Sequence, residues 1–128
     1  MIEQSYRFGF EAAHELGANV ADSSEGEGHD YAHVHGHSFR VTVTLRGEPG
    51  PQGWLRDFAE VRTACEGVRD VLDHRFLNRV EGLERPTLET LARWVFERLR
   101  TPLPELASVE LARPSLSEAV RYVPSARA

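Results

Sequence analysis

The chain has 128 residues, 41% hydrophobic and 27% charged, with one cysteine and a formal net charge of −5 at neutral pH. That length and balance fit a single domain over residues 1–128, with a core that needs no disulfide. The 15 basic residues, all Arg, form no basic block, and no apolar run reaches membrane-spanning length, so nucleic-acid and membrane partners are not expected. A phosphorylated small molecule stays compatible, because a pocket needs only a few local arginines. The opening "MIEQSYRFGF" lacks the basic-then-apolar layout of a signal peptide, and the expected location is cytoplasmic.

"SYRFGFEAAH" alternates, with Phe8, Phe10, Ala12 and His14 sharing one face, and reads as a strand. The glycine-rich acidic stretch "GANVADSSEGEGHDYA" reads as a long exposed loop. "SFRVTVTLRG" is a second strand, with Phe39, Val41, Val43 and Leu45 facing one way, and an antiparallel pairing with the first is expected. From Asp57 the period changes: Phe58, Val61, Cys65, Val68 and Leu72 form a helical stripe, and Asp57 with Glu60 resembles a capping box. A second helix follows Pro86, with Thr87 as N-cap and Leu88, Leu91, Ala92, Val95 and Leu99 on its apolar face. "TPLP" ends it, and "ASVELAR" and "EAVRYV" close the chain as two strands around "PSLS". The order ββααββ predicts an α+β fold, a four-stranded antiparallel sheet with both helices on one face. One sheet face and both edges then stay open, and oligomerisation through the edges is the expected remedy.

Two constellations carry chemistry. "HGH" puts His35 and His37 on the face that continues into Phe39, and antiparallel pairing brings His14 beside them. Three neutral nitrogen ligands with a fourth position open is the layout of a catalytic zinc site. Strand-end histidines with ordinary hydrogen-bond partners are the competing reading, and spacing does not choose between them. His29 and His33 read as loop residues. In "LDHRFLN", Asp73 beside His74 makes either a general base oriented by a carboxylate or a helix-end histidine favoured by the dipole; taken alone, these residues favour the second.

"FEAAHEL", "HVHGHSFRVTVTLRG", "GWLRDFAEVR", "VLDHRFLN", "PTLETLARWV" and a late "VELARP…RY" together, from Phe8 to Tyr122, resemble the 6-pyruvoyltetrahydropterin synthase / 6-carboxytetrahydropterin synthase family. The resemblance implies the tunnelling fold (T-fold), with three subunits closing a barrel and two trimers stacking into a homohexamer whose pockets lie at subunit boundaries. It implies that His14, His35 and His37 hold zinc, that Asp73 and His74 form a proton relay, and that Thr87 and Glu89 line a pterin pocket. The implied substrate is dihydroneopterin triphosphate or a related pterin, and the implied reaction a carbon–oxygen lyase step.

Two positions depart from the family pattern. Tyr31 stands where the family has its catalytic cysteine, and Cys65, on the apolar stripe, reads as a core residue rather than a substitute. Asp30 and His33 are the neighbouring alternatives to Tyr31. Arg113 stands where the family has the glutamate that reads the pterin ring; a guanidinium cannot accept hydrogen bonds. Glu110 is on the opposite strand parity and Glu118 is across the turn. Arg113 suits an anionic or acceptor-rich ligand, and Glu118 is the candidate to replace the missing carboxylate. The alternative function is a repurposed or non-catalytic hexameric homologue binding a different pterin- or purine-like ligand.

Overall fold

The computed structural model describes residues 1–17 and 32–125. His29, Asp30 and Tyr31 therefore lie outside the described residues. The elements in chain order are β1 (Ile2–His14), β2 (His35–Gly47), α1 (Phe58–Leu72), β3 (Arg75–Phe76), α2 (Leu88–Leu99), β4 (Leu106–Arg113) and β5 (Glu118–Tyr122), with short 3-10 turns at Leu77–Arg79 and Pro114–Leu116.

Alternation in β1 and β2 selects their register. They pair antiparallel from Ile2↔Gly47 to His14↔His35, which puts Phe10 opposite Phe39 and Phe8 opposite Val41. A slip by one residue would turn that apolar set towards solvent. β4 continues the face, with Leu111 opposite Val41 and Val109 opposite Val43. Val41, Val43, Leu45, Val109 and Leu111 are fully buried. Both helices cover this face, α1 against β1 and α2 against β4 and β5. From α1 come Val61, Cys65, Val68 and Leu72, and from α2 Leu88, Leu91, Ala92, Val95, Phe96 and Leu99.

The sheet differs from the expected one. It has five strands in the order β3-β1-β2-β4-β5, and β3 runs parallel to β1, so it is mixed rather than purely antiparallel. β3 is two residues long and has no periodicity to read. It exists because the chain leaving α1 is tied to β1: the Glu11 N–H donates to Asp73 Oδ1 at 2.9 Å and the His74 N–H to the Glu11 carbonyl at 2.6 Å.

Two details of α1 also differ. Phe58 is 46% exposed and stands outside the buried stripe, because it is the first residue of the helix and lies past the end of the core. Asp57 does cap the helix, accepting from the Ala59 N–H, but Glu60 turns outward to Arg56 at 2.6 Å instead of closing a capping box. The cap at Thr87 is as expected, its hydroxyl accepting from the Thr90 N–H.

Candidate metal centre

The register of β1 and β2 decides the site. His14 is opposite His35, and Ala12 is opposite His37, so three imidazoles share the helix-bearing face at one end of the sheet. Their candidate ligand nitrogens all lie within 4.8 Å of one another. Zinc held by tetrahedral nitrogen ligands at about 2.0–2.1 Å needs them roughly 3.3–3.4 Å apart, so modest rotations suffice. Gly36, between the two β2 histidines, is not forced by crowding: a Cβ there would come no closer than 3.5 Å to another atom, the Ala12 carbonyl oxygen.

The hydrogen bonds settle the tautomers. His14 Nδ1 is 3.0 Å from the Pro86 carbonyl and His35 Nδ1 is 2.7 Å from the His33 carbonyl. A carbonyl only accepts, so each Nδ1 carries the proton and each neutral ring has a bare Nε2. Those two Nε2 atoms face one another at 3.0 Å. Two lone pairs at that distance repel unless a proton or a cation lies between them. Burial, reinforced by His35, His37 and Arg113, pushes His14 from 6.5 down to about 4, against the opposing pull of the Pro86 carbonyl. An extra proton on His14 is therefore disfavoured near neutral pH, and a cation held between the two rings would remove the repulsion. His37 is likewise shifted down, chiefly by burial, and its Nε2 is buried without a hydrogen-bond partner among the described residues. The donor set fits a divalent metal, and the Pro86 and His33 carbonyls orient two of its rings as outer partners of metal-bound histidines do.

Asp73 and His74 also come together. Asp73 terminates α1, and its Oδ2 lies 3.0 Å from His74 Nδ1 while Arg69 approaches at 3.3 Å. The Glu11 N–H, then His74 and Arg69, hold the Asp73 carboxyl below the usual range. His74 sits at φ 59, a left-handed conformation unfavourable for a residue with a side chain. Its hydrogen bond to Glu11 fixes it there. With Nδ1 turned to Asp73, the basic Nε2 points outward, and the side chain is 78% exposed. A cavity of about 540 Å³ runs from His74, Arg75 and Phe76 across Glu11 and Ser38 to His37.

The remaining candidates divide. Thr87 is engaged in capping α2, next to the Pro86 carbonyl that holds His14, and Glu89 is exposed in the first turn. Arg113 is buried on the helix-bearing face directly opposite Glu118 in β5, with Nη2 at 2.8 Å from Oε1. Glu110 is on the other face, opposite Thr42, as strand parity requires. His33 is exposed, and its contribution is its carbonyl. The Pro86 carbonyl is a backbone acceptor with no signature in the residue pattern. The bond from Ser38 Oγ to Glu11 Oε1, at 2.6 Å, was readable only once the β1–β2 register was known. Cys65 is buried under α1, and burial pushes its thiol up to about 12, so it supplies no reactive sulfur.

A twisted single sheet with two covering helices and a three-histidine centre at one end defines a class of α+β proteins built around a candidate metal site. The chain belongs to the 6-pyruvoyl tetrahydropterin synthase family, whose model matches residues 3–124. It is 35% identical over 113 residues to the dihydroneopterin monophosphate aldolase of Pyrococcus furiosus, covering 88% of this chain and 86% of that one. It is 36% identical over 122 residues to the 6-carboxy-5,6,7,8-tetrahydropterin synthase of Synechocystis, covering 90% and 88%. Among solved structures, the 6-pyruvoyl tetrahydropterin synthase of Caenorhabditis elegans superimposes with a TM-score of 0.81 at 27% identity, over 97% of this chain and 96% of that one.

Proposed function

We propose that the protein is a zinc-dependent lyase that cleaves the side chain of a phosphorylated dihydroneopterin, by an aldolase-type step. The observation that carries this reading is a complete three-histidine centre beside an oriented carboxylate–imidazole pair, with the lone cysteine sealed in the core. A synthase that depends on a thiol at the position of Tyr31 is not served by this chain, whereas a retro-aldol cleavage needs no thiol. The Pyrococcus relative, named as an aldolase, supports the choice.

His14, His35 and His37 would hold the metal, which when bound supplies Lewis-acid polarisation of a substrate hydroxyl or carbonyl oxygen. His74, its tautomer set by Asp73, takes the proton of the 2′-hydroxyl through Nε2. The C1′–C2′ bond breaks, C2′ becomes an aldehyde carbon, and the electron pair left at C1′ takes up a proton. A 3′-monophosphate then yields 6-hydroxymethyl-dihydropterin and glycolaldehyde phosphate. Glu118, held by Arg113, supplies the acceptor for the pterin ring N–H groups, and Arg113 donates to a ring acceptor. Thr87 and Glu89 border the ring pocket from α2.

His74 points to solvent and makes no ring contact with the three histidines among the described residues, which suits a pocket completed by a second subunit of a homohexamer. The test is incubation of zinc-loaded protein with dihydroneopterin monophosphate and, separately, triphosphate. Release of glycolaldehyde phosphate from the monophosphate supports the reading. Free triphosphate from the second substrate, with no aldehyde from the first, would replace it with the carbon–oxygen lyase reaction. No turnover of either would leave a ligand-binding homologue.

A further inference from the structure

The sheet face turned away from the helices carries two arginines close to the register centre of β1 and β2. Arg40 is opposite Gly9 on one side and Ala112 on the other, with Ala119 beyond it, and Arg7 is opposite Thr42 one row along. Three small neighbours leave the Arg40 guanidinium unobstructed. Gly9 keeps the floor low, and a Cβ there would meet the Phe39 carbonyl oxygen at 3.3 Å. Above this floor is a hollow of about 520 Å³, lined by Arg7, Arg40, Ser38, Pro114 and Ser115 among others and by no carboxylate.

The two cations are available for a ligand. Arg46, Arg56, Arg69, Arg100 and Arg113 all pair with carboxylates, but Arg7 and Arg40 form no ion pair among the described residues. Both are exposed. Two carboxylates share this face without lining the hollow: Glu11 takes the Ser38 hydroxyl, and Glu110 lies across Thr42 in the row of Arg7. Two planar guanidinium forks beside the Ser115 hydroxyl match the oxygens of a phosphoryl group, which Arg binds in bidentate fashion. Ser38 also lines the cavity that reaches His37 and His74, so the two hollows meet there. One strand step of two residues separates Ser38 from Arg40, roughly 7 Å.

We propose that Arg7 and Arg40 form a phosphate site on the open face of the sheet, taking the phosphoryl group of a small molecule whose other end lies beside His74. The identity of that molecule rests on the function proposed above; the phosphate site does not. Inorganic phosphate is titrated calorimetrically into the full chain, zinc-loaded and chelator-stripped, in chloride buffer. Saturable binding is expected in both forms, weakened at least about tenfold by Arg40→Gln, lost in Arg7→Gln/Arg40→Gln and unchanged by Arg100→Gln. Absence of saturable binding, its persistence in the double variant, or its disappearance on chelation would each overturn the site. Ser115→Asp, which puts a carboxylate into the same hollow, must also abolish binding, and it decides the matter should the double variant fail to fold. Displacement of phosphate by dihydroneopterin monophosphate but not by glycerol phosphate assigns the site to the substrate. Equal displacement by both keeps the phosphate site and overturns its link to His74. Loss of turnover with phosphate binding intact counts against the proposed function alone.

Discussion

His14 and His35 cannot both be neutral and comfortable in the metal-free chain. Their Nδ1 protons are committed to carbonyls, so two lone pairs face each other at 3.0 Å in a partly buried site. A divalent cation removes the repulsion, and zinc content measured by elemental analysis checks it. Wild-type protein should retain about one zinc per chain after dialysis, while His35→Ala should lose it, its affinity falling more than about 100-fold. Retention in His35→Ala would show that the metal is elsewhere. In the proposed reaction Asp73 acts through His74, so Asp73→Asn should lower kcat by about 10²–10³-fold with little change in KM, and a circular dichroism spectrum should confirm the fold. Because the carboxyl is held below its ordinary range, Asp73 is ionised throughout the neutral range. The stability it contributes is complete above the ordinary carboxylate range and is lost as pH falls through the lowered value.

At the scale of elements, α1 is tied to the sheet at both ends. Its exit is tied to β1 through Asp73 and His74, which is what creates β3. Its entry is fixed by Arg56, which reaches Glu105 just before β4 at 2.7 and 3.0 Å, pairs with Glu60, and takes the Gln4 amide on its own carbonyl at 2.7 Å. Glu105 is lowered chiefly by this Arg56 hydrogen bond. Its contribution is therefore fully present above the unfolded value of 4.5 and disappears as pH falls through the lowered folded value. Arg56→Ala should cost about 1–3 kcal/mol at pH 7 by urea denaturation, and the difference from wild type should shrink as the pH falls below about 4. A difference independent of pH would mean that the Arg56 stem, and not its charge, holds the helix. The same ties explain what the residue pattern missed: two residues cannot display a period, and β3 is set by contacts from Glu11, more than sixty positions away.

At the scale of the whole molecule, the sheet ends in β3 on one side and β5 on the other, both strands with an unpaired edge among the described residues. β5 carries its half-buried Val120 and Tyr122 towards α2, and the exposed Leu116 and Val123 flank it. Edges of this kind are satisfied by pairing between copies. In the proposed hexamer, light scattering should give a mass well above the 14.4 kDa chain, and Ala119→Pro on β5 should shift it to smaller species. A monomer in the wild type would remove the second subunit from the active site.

The alternation of β1 and β2, the stripes of α1 and α2, and the cap at Thr87 were legible because each is local: period and capping chemistry depend on neighbours within a turn or two. The pairing of His14 with His35 and His37 was legible for the same reason, since register follows from alternation once one face is buried. Three things were not local and were decided by the tertiary structure. The short parallel β3 depends on hydrogen bonds from a distant strand. The exposure of Phe58 depends on where the core ends. The tautomers of His14 and His35 depend on the Pro86 and His33 carbonyls, main-chain groups that every residue carries and whose direction only the folded chain sets.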